Sequence, residues 1–515
     1  LTDKLIKDIV IVGGGAAGWL TAARLAAEFN TGASGMSVTL VESPDIKNIG
    51  VGEGTWPSMR QSLQRIGISE QEFISCCEAS FKQGSKFVDW KRGKGEYYYH
   101  PFTEPMAYQQ INLARFWQPS AGKFDEVVSP QPIICDHNLA PKQLNTPDYA
   151  EVLTYGYHLN AGKFIDLLRH YAVDKYGVRH ILAEVNSVQA LDGDITSLQT
   201  DEAGEITGDF FIDCSGLHGL LIEKHYSIPW LSVKHCLFND TALAMQVPYP
   251  DDNYPIQSAT VATARPFGWI WDIGLSSRRG VGHVFSRDFA TEEEVETSLR
   301  EYLVGHCGLD AATAEKIDYR MIKFEPGYRK TFWQGNCLAV GMAAGFIEPL
   351  EATALVLVEL AADMICRELP RDRGTMDIVA KRYNNIFANH WEQIIGFLKL
   401  HYVLSERNEP YWLAHREPNS LPSNLRDQLL LWQSRAPYHV DATAAFEMFP
   451  SASYQYVLYG MGFPSAQSHI HHRNDAATAE QASMMFNKNV LKTKQLREHL
   501  PTNRFLVNNI SQRNR

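Results

Sequence analysis

The sequence predicts an α/β fold (α+β overall), and three observations carry that reading. The chain opens as a βαβ unit: the apolar run Ile9–Val12, the turn Gly13-Gly-Gly-Ala-Ala-Gly18, an alanine-rich helical segment Trp19–Phe29, and a second strand, Met36–Val41, closed by Glu42. From Cys214 to about Phe332 the residues alternate as in an antiparallel sheet, with Phe267-Gly-Trp-Ile-Trp-Asp-Ile273 the clearest strand. Beyond that region helical periodicity dominates, notably in Glu351–Cys366, Met376–Ser405 and Asp475–Leu500.

The remaining elements follow in order. Gly50-Val-Gly-Glu-Gly-Thr-Trp-Pro57 is loop-like, and Ser58–Leu63 and Glu70–Cys77 read as helices. Tyr97 to about Pro147, rich in proline, aromatic and amide residues without a clear period, reads as irregular cover. Gly162–Tyr176 returns to a helical pattern, and Ile181–Val188, Ile195–Thr200 and Gly208–Ile212 read as strands, the first two joined by the turn Asp192-Gly-Asp. Cys337–Val340 is a last short strand before a glycine turn and the long helix.

Composition narrows the partners. The 515 residues are 45% hydrophobic and 21% charged, an ordinary globular balance whose length allows about three domains. Lysine and arginine total 48 against 59 acids, a net charge of -11, so neither nucleic acid nor an anionic membrane is an expected partner. Glu348, Pro349, Glu351 and Glu359 interrupt the most apolar stretch, Cys337–Met364, and no run of about 18 uncharged apolar residues occurs. Eight scattered cysteines form no C-x-x-C pair, and charges run through Leu1–Asp8 where a secretory leader needs an apolar run. A cytoplasmic enzyme with reduced thiols is expected. His469, His471 and His472 have no acid or cysteine at ligand spacing, so they read as a solvated loop and no metal is expected.

Gly13-x-Gly15-x-x-Gly18 sits between a strand and a helix, with Glu42 about 24 residues on, the context of a dinucleotide fingerprint. Its glycines let backbone approach a pyrophosphate at a helix N-terminus, and Glu42 can accept hydrogen bonds from a ribose. NAD and FAD proteins share this fingerprint. The strands ending in Asp213-Cys-Ser-Gly216, and the late strand Cys337-Leu-Ala-Val-Gly341, resemble the way FAD-dependent monooxygenases return to the same sheet to hold a flavin. A second nucleotide fingerprint is absent, so electrons for the flavin are expected from elsewhere.

Three further motifs resemble those of the flavin-dependent halogenases of the tryptophan halogenase type: Gly50-Val-Gly-Glu-Gly-Thr-Trp-Pro57, Trp269-Ile-Trp-Asp-Ile-Gly274 and Pro349-Leu-Glu-Ala-Thr353. The resemblance covers nearly the whole chain. Gly274 stands where the family has proline, and Ala352 and Ala354 replace a serine and a glycine. It implies an FAD-binding Rossmann-like core of the flavin monooxygenase type with an antiparallel sheet and a largely helical C-terminal part. The core spans 1–370, interleaved with substrate-covering segments at about 60–150 and 225–335, and 371–515 forms a mostly helical substrate side. Gly13, Gly15, Ala16, Gly18, Glu42, Val51, Gly52, Glu53, Val185, Met342 and Leu355 are implied to bind FAD.

The same resemblance assigns the chemistry. Reduced FAD from a separate, transiently met flavin reductase reacts with O2 to a flavin hydroperoxide, which a halide held at Thr353 and Ala354 attacks to give hypohalous acid. Lys82, in Ala79-Ser-Phe-Lys-Gln-Gly-Ser-Lys-Phe-Val-Asp-Trp90, matches the lysine that delivers the halogen. Read without the motif, Lys82 is a surface lysine, with Lys86 one turn away were the segment helical. Glu351 is implied to assist the electrophile or take the arenium proton, where the plain alternative is a first-turn acid stabilised by the helix dipole; Glu348 reads as structural. Trp269 and Trp271, two apart on a strand, share a face and are implied to wall the substrate space; core packing is the plain alternative. His100 and Phe102, in Tyr97-Tyr-Tyr-His-Pro-Phe102, match an aromatic pair that sandwiches indole; a structural histidine is the plain alternative. The opposite half reads Phe446-Glu-Met-Phe449-Pro450, with proline in place of tryptophan, and no amino-acid clamp is recognisable between Arg435 and Ala445. The expected activity is halogenation of an electron-rich indole- or phenol-like arene with chloride or bromide. An aromatic hydroxylase and a non-catalytic FAD-binding protein are the alternatives.

Overall fold

The computed structural model describes residues 5–29, 35–45, 51–441, 447–464 and 476–513, which gather into two compact units. The first comprises Leu1–Glu78, Leu159–Val233 and Phe324–Trp391, and the second Ala79–His158, Lys234–Lys323 and Glu392–Arg515.

The first unit is built on a six-stranded sheet. Its order is Trp333–Gln334, Cys337–Ala339, Phe210–Asp213, β1 (Asp8–Val12), β2 (Ser37–Glu42), Arg179–Leu182. All neighbours are parallel except the first pair. β1 is central and its run Ile9–Val12 is wholly buried, as a strand covered on both faces requires. Helix α1 (Ala16–Phe29) supplies part of that cover, burying Trp19, Leu20, Ala22, Ala23 and Leu25. The strand expected over Ile181–Val188 is two strands: the first ends at Leu182, where Ala183 N–H bonds Glu42 O, and the second, Val185–Leu191, joins an antiparallel sheet with Asp194–Thr200.

Two helices of this unit, α2 (Ser58–Ile66) and α3 (Thr353–Glu368), run side by side in the same direction. Ser58 and Ser62 of α2 donate to Glu359 of α3 at 3.2 and 2.6 Å, and one turn on Arg65 pairs with Asp363. α3 starts at Thr353 rather than at Glu351, because Glu351 and Ala352 have left-handed backbone.

The second unit contains a seven-stranded sheet, in the order Tyr319–Lys323, Thr241–Pro248, Arg278–Phe285, Gly268–Gly274, Thr260–Arg265, Gly84–Val88, Tyr97–Pro101. Its pairs are antiparallel except Thr260–Arg265 with Gly84–Val88. The alternating stretch after Cys214 thus supplies five of these strands, with the helices Glu292–His306 and Ala311–Glu315 inserted before the last. The longer helix starts on a Thr291/Glu294 capping box and packs Val295, Leu299, Tyr302 and Leu303 against Leu243, Met245 and Val281. Each such side chain contributes roughly 1.5–3 kcal/mol by leaving water.

One local expectation is corrected here. Tyr97 to Pro147 is not simply irregular: Tyr97–Pro101 is an edge strand and Phe124–Val128 and Gln131–Asp136 are short helices. Ala79–Trp90, for which the sequence left the conformation open, is extended: β3 (Ser80–Lys82) and Gly84–Val88 belong to different sheets, separated at Gly84 (φ +146°). The tyrosine-rich stretch after Pro450 is the helix Ser451–Gly460, in which Ala452, Tyr456 and Tyr459 recur at helical spacing on the buried side. β3 pairs with β4 (Gly156–Leu159) in the register Ser80↔His158, Phe81↔Tyr157, Lys82↔Gly156.

Candidate active site

In the first unit the carboxyl ends of β2, β1, Phe210–Asp213 and Cys337–Ala339 lie in one row, the place where open α/β sheets bind ligands. Gly13 leaves β1 with φ +116°, and a Cβ there would stand 2.2 Å from Cys214 O. At Gly14 an added Cβ would meet Glu42 Oε2 at 1.4 Å, and at Gly18 it would meet Gly13 O at 1.9 Å. The turn is therefore closed to any side chain and opens the backbone at Gly15 and Ala16, the N-terminus of α1, to a phosphate. These residues fit the pyrophosphate of a dinucleotide.

Asp213 holds the neighbouring turn, accepting the amides of Leu221 and Ile222 at 2.7 and 2.8 Å. Glu42, at the end of β2, shares a 2.7 Å hydrogen bond with His180 Nε2 while its other oxygen lies beside Gly14. Met342 lies in the turn Gly341–Ala343, whose Gly341 approaches Ala17 so closely that a Cβ would stand 2.6 Å away. Val51, Gly52 and Glu53 are part-buried ahead of α2, and burial pushes the Glu53 carboxyl up to about 7. Val185 opens the strand Val185–Leu191 and Leu355 is buried in the first turn of α3. Gly50, the first residue of that motif, lies outside the described residues.

The segment Pro349–Ala354 is a strained turn. Glu351 (φ 63°, ψ 6°) and Ala352 (φ 56°, ψ 51°) are consecutive non-glycine residues in the left-handed region, each costing about 1–2 kcal/mol. Ala352 N–H bonds Pro349 O at 3.1 Å, and Trp56 Nε1–H donates to Glu351 O at 2.8 Å. Glu348, Glu351 and Thr353 are buried, while Ala354 is exposed at the start of α3, where the first amides lack intrahelical partners. Behind them Glu359 is buried and its carboxyl is pushed up to about 8, chiefly by desolvation. It is therefore largely neutral at pH 7.

In the second unit Lys82 is 1% exposed on β3, not at the surface. Cross-strand register puts Lys82, Ser80 and His158 on one face and Phe81 and Tyr157 on the other. The Lys82 ammonium stands 5.3 Å from the centroid of the Phe102 ring, a cation–π geometry. Burial, with the Lys82 charge adding to it, holds the His158 imidazole well below its usual range, so the ring is neutral; it bonds Thr260 Oγ1 at 2.8 Å. The neighbouring lysines are engaged differently. Lys86 pairs with Asp136 at 2.6 Å, and buried Lys142 donates to Tyr155 Oη and Pro147 O at 3.3 and 3.2 Å.

Trp269 and Trp271 do share a face, their ring centroids 6.4 Å apart. Trp269 also packs on Trp90, and Trp271 lies over Gly282, where a Cβ would meet its ring at 2.1 Å. His100 Nε2 bonds Ser453 Oγ at 2.9 Å, and its ring lies 5.6 Å from Phe397 and 6.5 Å from Phe449. Phe449 is stacked on Phe397 with centroids 3.8 Å apart, while Pro450 is exposed immediately before the helix Ser451–Gly460.

Sequence reasoning missed Trp56, His158, His180 and Glu359. Trp56 was visible only as part of the motif Gly50–Pro57, and Glu359 carried a signal of its own, an acid on the apolar side of a helix. Among the described residues no group of three His, Cys, Asp or Glu is placed to hold a metal ion, and no helix is long and apolar enough to cross a membrane. His469, His471 and His472 lie outside the described residues.

The parallel sheet with its closed glycine turn in one unit and the large antiparallel sheet in the other define an oxidoreductase fold of the flavin monooxygenase type. The model of the family described as tryptophan halogenase matches residues 8–476, and the chain belongs to that family of flavin-dependent halogenases. It is similar to the crystal structure of a tryptophan halogenase from Shewanella frigidimarina NCIMB 400, with 46% identity, a TM-score of 0.95, and coverage of 99% of this chain and 98% of that one. Tryptophan 6-halogenase SttH of Streptomyces toxytricini is 32% identical over 478 residues, 88% of this chain and 89% of SttH. Tryptophan 7-halogenase RebH of Lentzea aerocolonigenes is 32% identical over 497 residues, covering 90% and 91%.

Proposed function

We propose that this halogenase uses reduced FAD, O2 and chloride or bromide to halogenate an electron-rich indole- or phenol-like arene at Lys82. The single observation that carries the reading is Lys82 itself: an ammonium withdrawn from solvent, set over the Phe102 ring and beside an imidazole kept neutral. When bound, FAD reduced by a separate reductase would supply two electrons to O2, with which halide and a proton would yield hypohalous acid and one water. Gly13, Gly15, Ala16 and Gly18 hold the pyrophosphate, Glu42 the ribose, and Val51, Gly52, Glu53, Val185, Met342 and Leu355 line the cofactor. Thr353 and Ala354 present amides to the halide.

The Lys82 ammonium hydrogen-bonds hypohalous acid or condenses with it to a protonated haloamine and water, and is left as the free amine when the arene takes the halogen. Glu351 accepts the proton that the arene loses. His100, Phe102, Trp269, Trp271, Phe449 and Pro450 belong to the substrate side. The stacking of Phe397 on Phe449 and the missing clamp support a free indole or phenol over tryptophan, on which SttH and RebH act by name.

The test incubates purified protein with FAD, a flavin reductase, NADH, and chloride or bromide, against indoles, phenols and tryptophan, with mass-spectrometric detection. Halogenated product is expected from the natural chain and a loss of at least about 100-fold in Lys82→Ala, with flavin oxidation retained. Halide-independent oxygenated product that survives Lys82→Ala would instead make the protein a hydroxylase, and no turnover at all a flavin-binding protein.

A further inference from the structure

The turn that carries Glu351 holds two successive left-handed residues and contains no glycine between Pro349 and Thr353. Such a turn persists only where its surroundings over-determine it. One contact from a distant part of the sequence meets it directly: Trp56 Nε1–H donates to Glu351 O at 2.8 Å. The indole is itself fixed. It precedes Pro57 and α2, and α2 is fastened along α3 by Ser58 and Ser62 on Glu359 and by Arg65 on Asp363. The same parallel pair that carries the turn therefore also carries the group that holds it.

We infer that Trp56 is a positioning residue: its indole N–H holds the Glu351 carbonyl, and so keeps Glu351 and Ala352 in the left-handed geometry that directs the Glu351 carboxyl and the first amides of α3. The inference rests on the role proposed above for Glu351 and the α3 amides. Its chemistry is specific, since the hydrogen bond needs the indole N–H and not merely a ring of that size. The strain it opposes is also specific, because glycine adopts left-handed angles without steric cost.

Both points enter one experiment on the full chain: Trp56→Phe, Ala352→Gly, and the double variant. FAD affinity is measured by fluorescence titration, thermal midpoint by calorimetry, and chloride dependence by product formation with the reductase system. Trp56→Phe is expected to lower kcat and raise the chloride KM by about tenfold in kcat/KM, with FAD affinity kept, and to lower the thermal midpoint. Adding Ala352→Gly is expected to restore most of both losses, because glycine holds the turn without the indole N–H. A Trp56→Phe chain that folds only together with Ala352→Gly shows the same rescue through stability. Wild-type behaviour of Trp56→Phe, or losses that Ala352→Gly leaves untouched, would overturn the inference. The thermal coupling does not depend on halogenation, so a chain that halogenates nothing yet shows it loses the proposed function and keeps the Trp56 tie.

Discussion

Asp272 follows Trp271 on the same strand, so its carboxylate points to the face opposite the two indoles. There it is wholly buried, accepts Arg279 Nε–H at 2.9 Å and a second guanidinium N–H, and accepts Tyr302 Oη–H at 2.9 Å. The charge pair is satisfied on both sides, so removing one partner strands the other in the core. Asp272→Asn is expected to lower the unfolding free energy by about 3–5 kcal/mol, and urea titration checks it; a loss under about 1 kcal/mol would refute a stranded Arg279. The motif containing Asp272 was legible, but its arginine and tyrosine partners come from elements that no sequence period links to it. Lys82 shows the same limit in reverse. The motif picks it over Lys86, yet its burial follows from pairing β3 with β4, from residues about 75 positions apart, a long-range fact that local reading takes for a surface lysine.

Helix α2 is fastened along α3, with Ser58 at its start and Ser62 one turn on both donating to Glu359. Glu359 is the acid between them. Desolvation pushes its folded carboxyl up to about 8, against about 4.3 in an unfolded chain, with the Ser62 and Ser58 hydroxyls offsetting part of the cost. The folded state therefore favours the protonated acid. Its stabilising contribution is full below about pH 4 and is lost as pH rises to about 8, with a slope of up to about 1.4 kcal/mol per pH unit. Glu359→Gln keeps the shape and the acceptor for Ser62 without ionising. Its stability relative to the natural chain is expected to rise between about pH 5 and 8 and then level off, as urea midpoints across that range would show; parallel pH profiles would reject the assignment. At this scale the sequence places the long helix correctly but starts it two residues early. Helix propensity favours Glu351 and Ala352 as helical residues, yet in the fold both are left-handed, with the Glu351 carbonyl accepting the Trp56 indole N–H from a distant part of the chain.

For the whole chain, the expected return of the late strand to the first sheet was legible, since Asp8–Val12 and Cys337–Ala339 do lie in one six-stranded sheet beside the dinucleotide turn. The sequence could not make legible the edge strand Tyr97–Pro101, whose aromatic run lacks a polar alternation until it is paired with Gly84–Val88. The global charge raises a different question. With 48 basic and 59 acidic side chains the protein carries -11 and repels the halide it is proposed to use. The attraction at the α3 N-terminus is short-ranged, falling off within the first turn, whereas repulsion by the net charge acts over a Debye length. Salt should therefore separate the two. Raising ionic strength with a non-halide salt such as potassium gluconate, from about 10 to 150 mM, shortens screening from about 30 to 8 Å and removes the long-range repulsion while leaving the local amides untouched. The chloride KM is expected to fall by about two- to threefold over that range, a change on the order of kT in the potential at the site. A KM that rises instead would mean that the field at the halide site is already positive over the longer distance, and that the acidic balance of the chain does not govern halide entry.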